Sequence, residues 1–236
     1  MCGTCGCGGV VRIVDATSVV DLSHEPLEAR VLGRNDALAA RNRARFQELG
    51  LTVLNLMSGP GAGKTTLLVA TLRAMGGPVA VIEGDQETDL DAAAIRATGA
   101  PVVQVNTGTG CHLDADMVRR GLEALDPPAG ATLFIENVGN LVCPALFDLG
   151  EARRVVLFSV TEGEDKPTKY PHMFRDGDLV LMTKVDLLPY LDFDMERAEA
   201  AVRATARRAE VLRVSAKTGE GMDGWMAWIA GVGGRV

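Results

Sequence analysis

Leu51 to Ala70 is the stretch that most restricts what this chain can fold into. An apolar run, Leu51-Thr52-Val53-Leu54-Asn55-Leu56, leads into Met57-Ser58-Gly59-Pro60-Gly61-Ala62-Gly63-Lys64-Thr65-Thr66, and Leu67-Leu68-Val69-Ala70 follows. That order predicts a buried strand, a glycine-rich turn and a helix. Such a turn aims backbone N–H groups and a helix N-terminus at one point, which suits a polyphosphate. In this reading Gly59, Gly61, Ala62, Gly63, Lys64, Thr65 and Thr66 bind the phosphates. Lys64 reaches the β- and γ-phosphates, and the Thr65 hydroxyl ligates Mg²⁺. One position departs from the motif: Ser58 stands five residues before Gly63, where Gly is usual, with Gly59 beside it. The plainer alternative is an ordinary strand-to-helix turn that contains Gly-Lys-Thr.

The pattern then repeats. Strands are predicted at 51–57, 79–82, 102–105, 132–135, 155–160, 179–182 and 211–214. Helices are predicted near 65–75, 89–97, 114–125, 194–208 and 222–231. Gly76-Gly77-Pro78, Gly99 and Pro127-Pro128 punctuate them. Continuous apolar strands alternating with helices imply an α/β fold of the P-loop NTPase kind: a mostly parallel central sheet with helices on both faces. Ligands of such sheets gather at the carboxyl ends of the strands, where each polar cluster of this sequence falls. With 47% apolar but only 4% aromatic residues, the core must be built largely from Ala, Val and Leu.

Ahead of this G domain (51–236), two smaller regions are expected. Residues 1–27 form a flexible, Cys-rich N-terminal segment, with a short extended piece at Val10–Val14. Residues 28–50 form an amphipathic helix that carries Leu32, Leu38, Ala39 and Phe46, shows a solvated Arg face and ends at Gly50. The net charge of −7 and the lack of a long basic run argue against nucleic acid. No run is apolar enough to span a bilayer, and no secretory signal opens the chain, so a cytoplasmic protein with no membrane partner is expected.

Glu136 follows strand 132–135, and Gly139 comes three residues later. In P-loop proteins the acid after this strand meets Mg²⁺ directly or through water, and the Gly lets a backbone N–H meet the γ-phosphate. The usual acid is Asp; here it is Glu. Asp85, at the end of the neighbouring strand, can reach the same cation or position the attacking water. Thr65, Asp85 and Glu136 are therefore the Mg²⁺ candidates, and Lys64, Asp85 and Glu136 the catalytic ones. Asn140 stands where some GTPases place a Gln, so turnover should be slow. Lys166 and Lys169 follow strand 155–160. One of them reaching phosphates across a dimer is an option, and solvent exposure of both is the default. Thr183-Lys184-Val185-Asp186 resembles the guanine signature of GTPases. The Asp186 carboxylate can accept from guanine N1–H and its 2-amino group, which adenine does not offer, and the Lys184 stem would lie over the base. Ser215-Ala216-Lys217 resembles the second guanine-contacting loop.

Five cysteines, with Cys2, Cys5 and Cys7 crowded among glycines, read as metal or redox chemistry in a reducing compartment. At this point the sequence resembles the HypB family, SIMIBI-class P-loop GTPases that assist nickel insertion into [NiFe]-hydrogenase. The carrying stretches are Met-Cys-x-x-Cys-Gly-Cys, Pro60–Thr66, Glu83–Gln86, Asn106–Ala115, Glu136–Pro144, Thr161–Pro167 and Lys184–Tyr190. The resemblance implies a GTPase that cycles between monomer and homodimer and handles Ni²⁺ and Zn²⁺ beside GTP and Mg²⁺. It also implies two partners, a HypA-like nickel chaperone and the hydrogenase large-subunit precursor, with residues 1–50 as the candidate docking region for the former. Two metal sites per chain follow. Cys2, Cys5 and Cys7, helped by the α-amine of Cys2 if Met1 is removed, would hold Ni²⁺, with Zn²⁺ or simple thiol redox chemistry as alternatives. Cys111, His112 and Cys143 would hold Zn²⁺ or Ni²⁺ at a dimer interface, since two copies could complete the ligand set. His24 and His172 are read as ordinary residues. No His-rich N-terminal tract is present, which puts bulk nickel storage in doubt. Competing functions are a urease-type, UreG-like accessory GTPase and a metal-storage or thiol-redox protein with a vestigial nucleotide site.

Overall fold

In the computed structural model the described residues are 12–14, 19–21, 27–86 and 89–233. Cys2, Cys5, Cys7 and His24 lie outside them. Two short strands, β1 (Arg12–Val14) and β2 (Val19–Asp21), pair antiparallel. The sequence pattern gave no sign of the second. Helix α1 (Leu27–Glu48) follows. The remaining elements wind one sheet: β3 (Thr52–Ser58), α2 (Lys64–Ala74), β4 (Val79–Asp85), α3 (Leu90–Arg96), β5 (Val102–Asn106), α4 (Ala115–Leu125) and β6 (Thr132–Glu136). Then come α5 (Cys143–Leu146), β7 (Arg153–Ser159), α6 (Lys166–Lys169), α7 (Pro171–Arg175), β8 (Leu179–Thr183), α8 (Met195–Thr205), β9 (Glu210–Val214) and α9 (Met222–Gly233). A 3₁₀ turn, Val185–Tyr190, follows β8. The seven strands run β5-β4-β6-β3-β7-β8-β9, all parallel, so the sheet is wholly rather than mostly parallel.

The period of two sorts the core cleanly. Leu54, Leu56, Val81, Phe134, Val155 and Leu157 point to one face and pack under α2, α3 and α9, with Trp225 fully buried there. Its Nε1 donates to Thr71 Oγ1 at 2.8 Å. Val53, Ala80, Ile82, Leu133 and Ile135 point to the other face, under α1 and α4. Farther along that side, Met57, Val156, Phe158, Val180 and Met182 pack on α7 and α8. Burial on both faces explains why these strands read as continuous apolar runs.

Helix α1 buries Asn35, Ala39, Asn42 and Phe46 at heptad-like spacing, while Leu32 and Leu38 are only half-buried. Two of the four inner positions are therefore polar. Asn42 donates to the carbonyls of Ala115 and Leu149 (2.8 and 3.1 Å), and Asn35 accepts from Ala115 N–H (2.9 Å) and donates to Asp148 O (2.7 Å). They satisfy backbone groups that no ladder reaches. Of the arginines, Arg43 is not merely solvated; it forks onto Asp148 at 2.8–2.9 Å.

Candidate functional site

The carboxyl ends of β3, β4, β6 and β8 converge on the phosphate loop. Gly63 takes φ 93° as it enters α2, and Gly61 φ 72°, both in the left-handed region that favours glycine. Lys64 is buried, and its Nζ donates to Ser58 Oγ at 2.9 Å. The atypical Ser58, itself fully buried, therefore supplies the partner that holds the lysine. Burial lowers the Lys64 pKa, and nearby carboxylates, Glu136 first, work against that. Gly139 leans on the same loop. A Cβ there would come within 3.2 Å of Pro60 Cα and 3.6 Å of Lys64 Nζ.

Glu136 Oε1 accepts from Thr65 Oγ1 at 2.7 Å. Beside it stands a residue that sequence reasoning passed over. Glu83 is in register with Glu136 on the adjacent strand, so both carboxyl groups point to one face. The two are 1% and 2% exposed, and one oxygen of each, Oε2, has no hydrogen-bond partner. Burial, followed by the charge of Glu136, raises the Glu83 pKa to about 8. Burial raises that of Glu136 to about 7 against the pull of Lys64 and Thr65. The signal was available: Glu83 directly follows the apolar run Val79-Ala80-Val81-Ile82 in a buried strand, where an acid needs a reason. Asp85 lies one pleat farther out, half-buried, and its charge raises both glutamates. Two acceptor oxygens without donors, next to a hydroxyl oxygen, form a hard-oxygen set that fits a divalent cation such as Mg²⁺.

A pocket of about 250 Å³ adjoins the loop, lined by Ala62, Gly63, Thr183, Lys184, Asp186, Ser215, Ala216 and Lys217 among others. Its walls are tied together. Thr183 Oγ1 donates to Ala62 O (2.7 Å), Lys184 Nζ to Gly61 O (2.6 Å) and Ser215 Oγ to Asp186 Oδ1 (2.6 Å). Lys184 adopts φ 61°, costly for a residue with a Cβ, and its own bond to Gly61 and that of Thr183 to Ala62 hold the turn there. Thr183, standing where Asn is commoner, still supplies a donor to the phosphate loop.

On the far side of Gly139, Cys111, His112 and Cys143 meet. All three are half-buried, and their ligand atoms lie within 4.8 Å of one another. Cys111 Sγ is 3.8 Å from His112 Nδ1, and the imidazole stacks on Phe147 at 3.9 Å. Asp114 caps α4 by accepting from Met117 N–H at 2.8 Å, which fixes the residues just before the helix. Burial keeps the His112 pKa low, favouring the neutral ring that binds metals. Soft sulfur with imidazole suits Ni²⁺ or Zn²⁺. Cys143 opens α5, one of three short helices, with α6 and α7, in segments expected to be loops. In α6, Lys166 is 18% exposed and paired with Glu162, while Lys169 is 64% exposed and paired with Asp165. The default of two solvated lysines holds only for Lys169.

A parallel sheet of this kind with these loops defines a GTPase-type P-loop NTPase, here with a cysteine–histidine cluster built onto it. Residues 52–213 match the family model "CobW/HypB/UreG, nucleotide-binding domain". The hydrogenase maturation factor HypB of Azotobacter chroococcum is 62% identical over 205 residues, covering 86% of this chain and 67% of that protein. Its Escherichia coli (strain K12) counterpart is 57% identical, with 86% and 71% covered. Among solved structures, HypB from Helicobacter pylori in complex with nickel superposes with a TM-score of 0.81 at 35% identity, covering 85% of this chain and 95% of that one. HypB from Archaeoglobus fulgidus gives 0.78 at 36%, covering 86% and 100%. The chain belongs to the CobW/HypB/UreG family, and within it to the HypB hydrogenase maturation factors. No helix among the described residues is long and apolar enough to cross a membrane.

Proposed function

We propose that this chain is a GTP-hydrolysing nickel metallochaperone that assists nickel insertion into the large subunit of [NiFe]-hydrogenase. The observation that carries this reading is one short segment. It starts at Glu136, bonded to phosphate-loop Thr65, passes Gly139 against Pro60, and ends at Cys143 in the metal-ligand cluster. The nucleotide and metal sites of this reading therefore share one segment, 136–143.

In this reading Gly59 to Thr66 cradle the phosphates, and Lys64 neutralises charge on the β- and γ-phosphoryl oxygens. Thr65, Glu136 and Glu83 are the groups that would hold Mg²⁺ or its water shell, with Asp85 placed to orient the attacking water. The cation would supply charge neutralisation at the transferring phosphoryl group. Asp186 and Ser215 to Lys217 select guanine. Hydrolysis is slow because Asn140, in the position expected of a water-orienting Gln, spends its amide on the Cys111 carbonyl at 3.2 Å. Nickel is cargo, bound by Cys2, Cys5 and Cys7 and by the Cys111/His112/Cys143 cluster. Three ligands leave a four-coordinate ion one short. The cluster is half-buried and flanked by Val142 and Leu146, 46% and 40% exposed, which supports a second copy as the source of further ligands. GTP-dependent dimerisation, receipt of nickel from a HypA-like partner and release to the hydrogenase precursor complete the reading. Residues 1–27 serve as metal-binding segment, 28–50 as connecting helix and 51–236 as G domain.

The test is nickel and zinc titration with GDP and with a GTP analogue, following mass and GTP turnover. Metal affinity and dimerisation should change with nucleotide; identical curves in both states would reject the coupling. Replacing Cys143 with Ala should weaken metal binding at the cluster and remove the difference between nucleotide states.

The buried glutamates give a pH prediction. Their folded pKa values lie above the unfolded value, so the native state holds extra protons between about pH 4.5 and pH 8. Without Mg²⁺, stability must therefore fall as pH rises through that window. Glu83→Gln should flatten this fall, raising Tm at pH 8 by about 3 °C or more while changing little at pH 5. The same variant should weaken the Mg²⁺ dependence of nucleotide binding. Thermal melts at both pH values check it.

A further inference from the structure

Two asparagines join the phosphate side of the molecule to the metal side, and each does so with one amide. Asn137 is 1% exposed. Its Oδ1 accepts both from Leu113 N–H (3.1 Å), next to His112, and from Val138 N–H (3.0 Å), next to Gly139. Its Nδ2 reaches Asn55 Oδ1 on β3 at 3.4 Å. Asn140 is half-buried. Its Nδ2 donates to the Cys111 carbonyl (3.2 Å), and its Oδ1 accepts from Val142 N–H (3.0 Å), next to Cys143. Each cluster ligand therefore has a backbone group, its own or its neighbour's, held by a side chain of the segment that carries Gly139.

We propose that Asn140, backed by Asn137, is the positioning residue that sets the spacing of Cys111, His112 and Cys143 according to what occupies the γ-phosphate position. This rests on the nucleotide–metal coupling proposed above and names the atoms that carry it. The distances decide how much movement matters. Sulfur ligands about 2.3 Å from one ion cannot stand more than about 4.6 Å apart. The present ligand atoms all lie within 4.8 Å of one another, close to that limit. A shift of about 1 Å in Asn140, of the size by which packed elements move in switching transitions, changes the separation of Cys111 from the start of α5. It does so by releasing one side: the bond to Cys111, already at 3.2 Å, is lost well before a displacement of about 1 Å is complete, while the bond to Val142 within the same segment travels with Asn140.

The test compares nickel affinity with GDP and with a GTP analogue in the full chain, in Asn140→Ala and in Asn140→Asp. Aspartate keeps the acceptor for Val142 and loses the donor to Cys111. The parent should show a ratio of about 5-fold or more between states, and nickel should shift nucleotide affinity by the same factor. Both variants should fall below about 2-fold while still binding nickel. Asn106→Ala is the control: this exposed residue caps the Gly108 turn of the same loop at 2.8 Å, and its variant should keep the parental ratio. A parental ratio in Asn140→Ala overturns the assignment, as does loss of nickel in both states alike, which would mark Asn140 as scaffold only. A parent ratio near one overturns the coupling itself, a result distinct from either.

Discussion

Lys64→Ala is expected to reduce GTP turnover by about 10²- to 10³-fold, the loss that follows removal of a single preorganised donor from a developing phosphoryl charge. The effect should be larger than for any other single replacement in the loop. Lys64 is buried, so its ammonium works in a medium where the interaction is poorly screened. It is also pre-aimed by Ser58 at 2.9 Å and pays no reorganisation when substrate arrives. Burial lowers its pKa, and the neighbouring carboxylates oppose that shift. Phosphate release measured at saturating GTP checks the prediction. Turnover unchanged in the variant would mean that the nucleotide site is vestigial and the chain a metal-binding protein.

Asp186→Asn is expected to weaken GTP binding by about 10²- to 10⁴-fold and leave ATP binding unchanged. Two hydrogen bonds from guanine to an ionised acceptor are at stake, each about 1.5–3 kcal/mol. The amide can still accept from Ser215, which meets Oδ1 at 2.6 Å, so the pocket should keep its shape. What changes is the second oxygen, which becomes a donor facing donors. Competition binding with both nucleotides reads the ratio. A variant that still prefers GTP as strongly as the parent would remove Asp186 from the role.

The fold was legible because the central strands of the sheet are buried on both faces and therefore appear as apolar runs. The strands at Val53–Met57, Val81, Phe134 and Leu181 need no long-range information to be recognised. The short helices α5, α6 and α7 were not legible. At four or five residues they carry less than two turns of pattern, and Pro144, Pro167 and Pro171 fit loop starts equally well. Asn35 and Asn42 were missed for a related reason. A polar residue on a helix reads as solvent-facing unless its buried partner, here the backbone of Ala115, is already in place.

For the site, the chain order alone pointed to the phosphate loop, to the candidate guanine-reading residues and to the three residues proposed as cluster ligands. These are short motifs whose chemistry is local: a turn, a cap, a carboxylate after a strand. Three things depended on tertiary structure. Strand register placed Glu83 against Glu136 and left each with a bare oxygen, which no spacing along one strand can reveal. Packing put Ser58 under Lys64, turning a departure from the motif into a support for it. Finally, the crossing of two loops set Asn140 between Cys111 and Cys143, residues 32 positions apart in sequence. Sequence names which groups are present, whereas the bonds between distant loops decide which of them are held together.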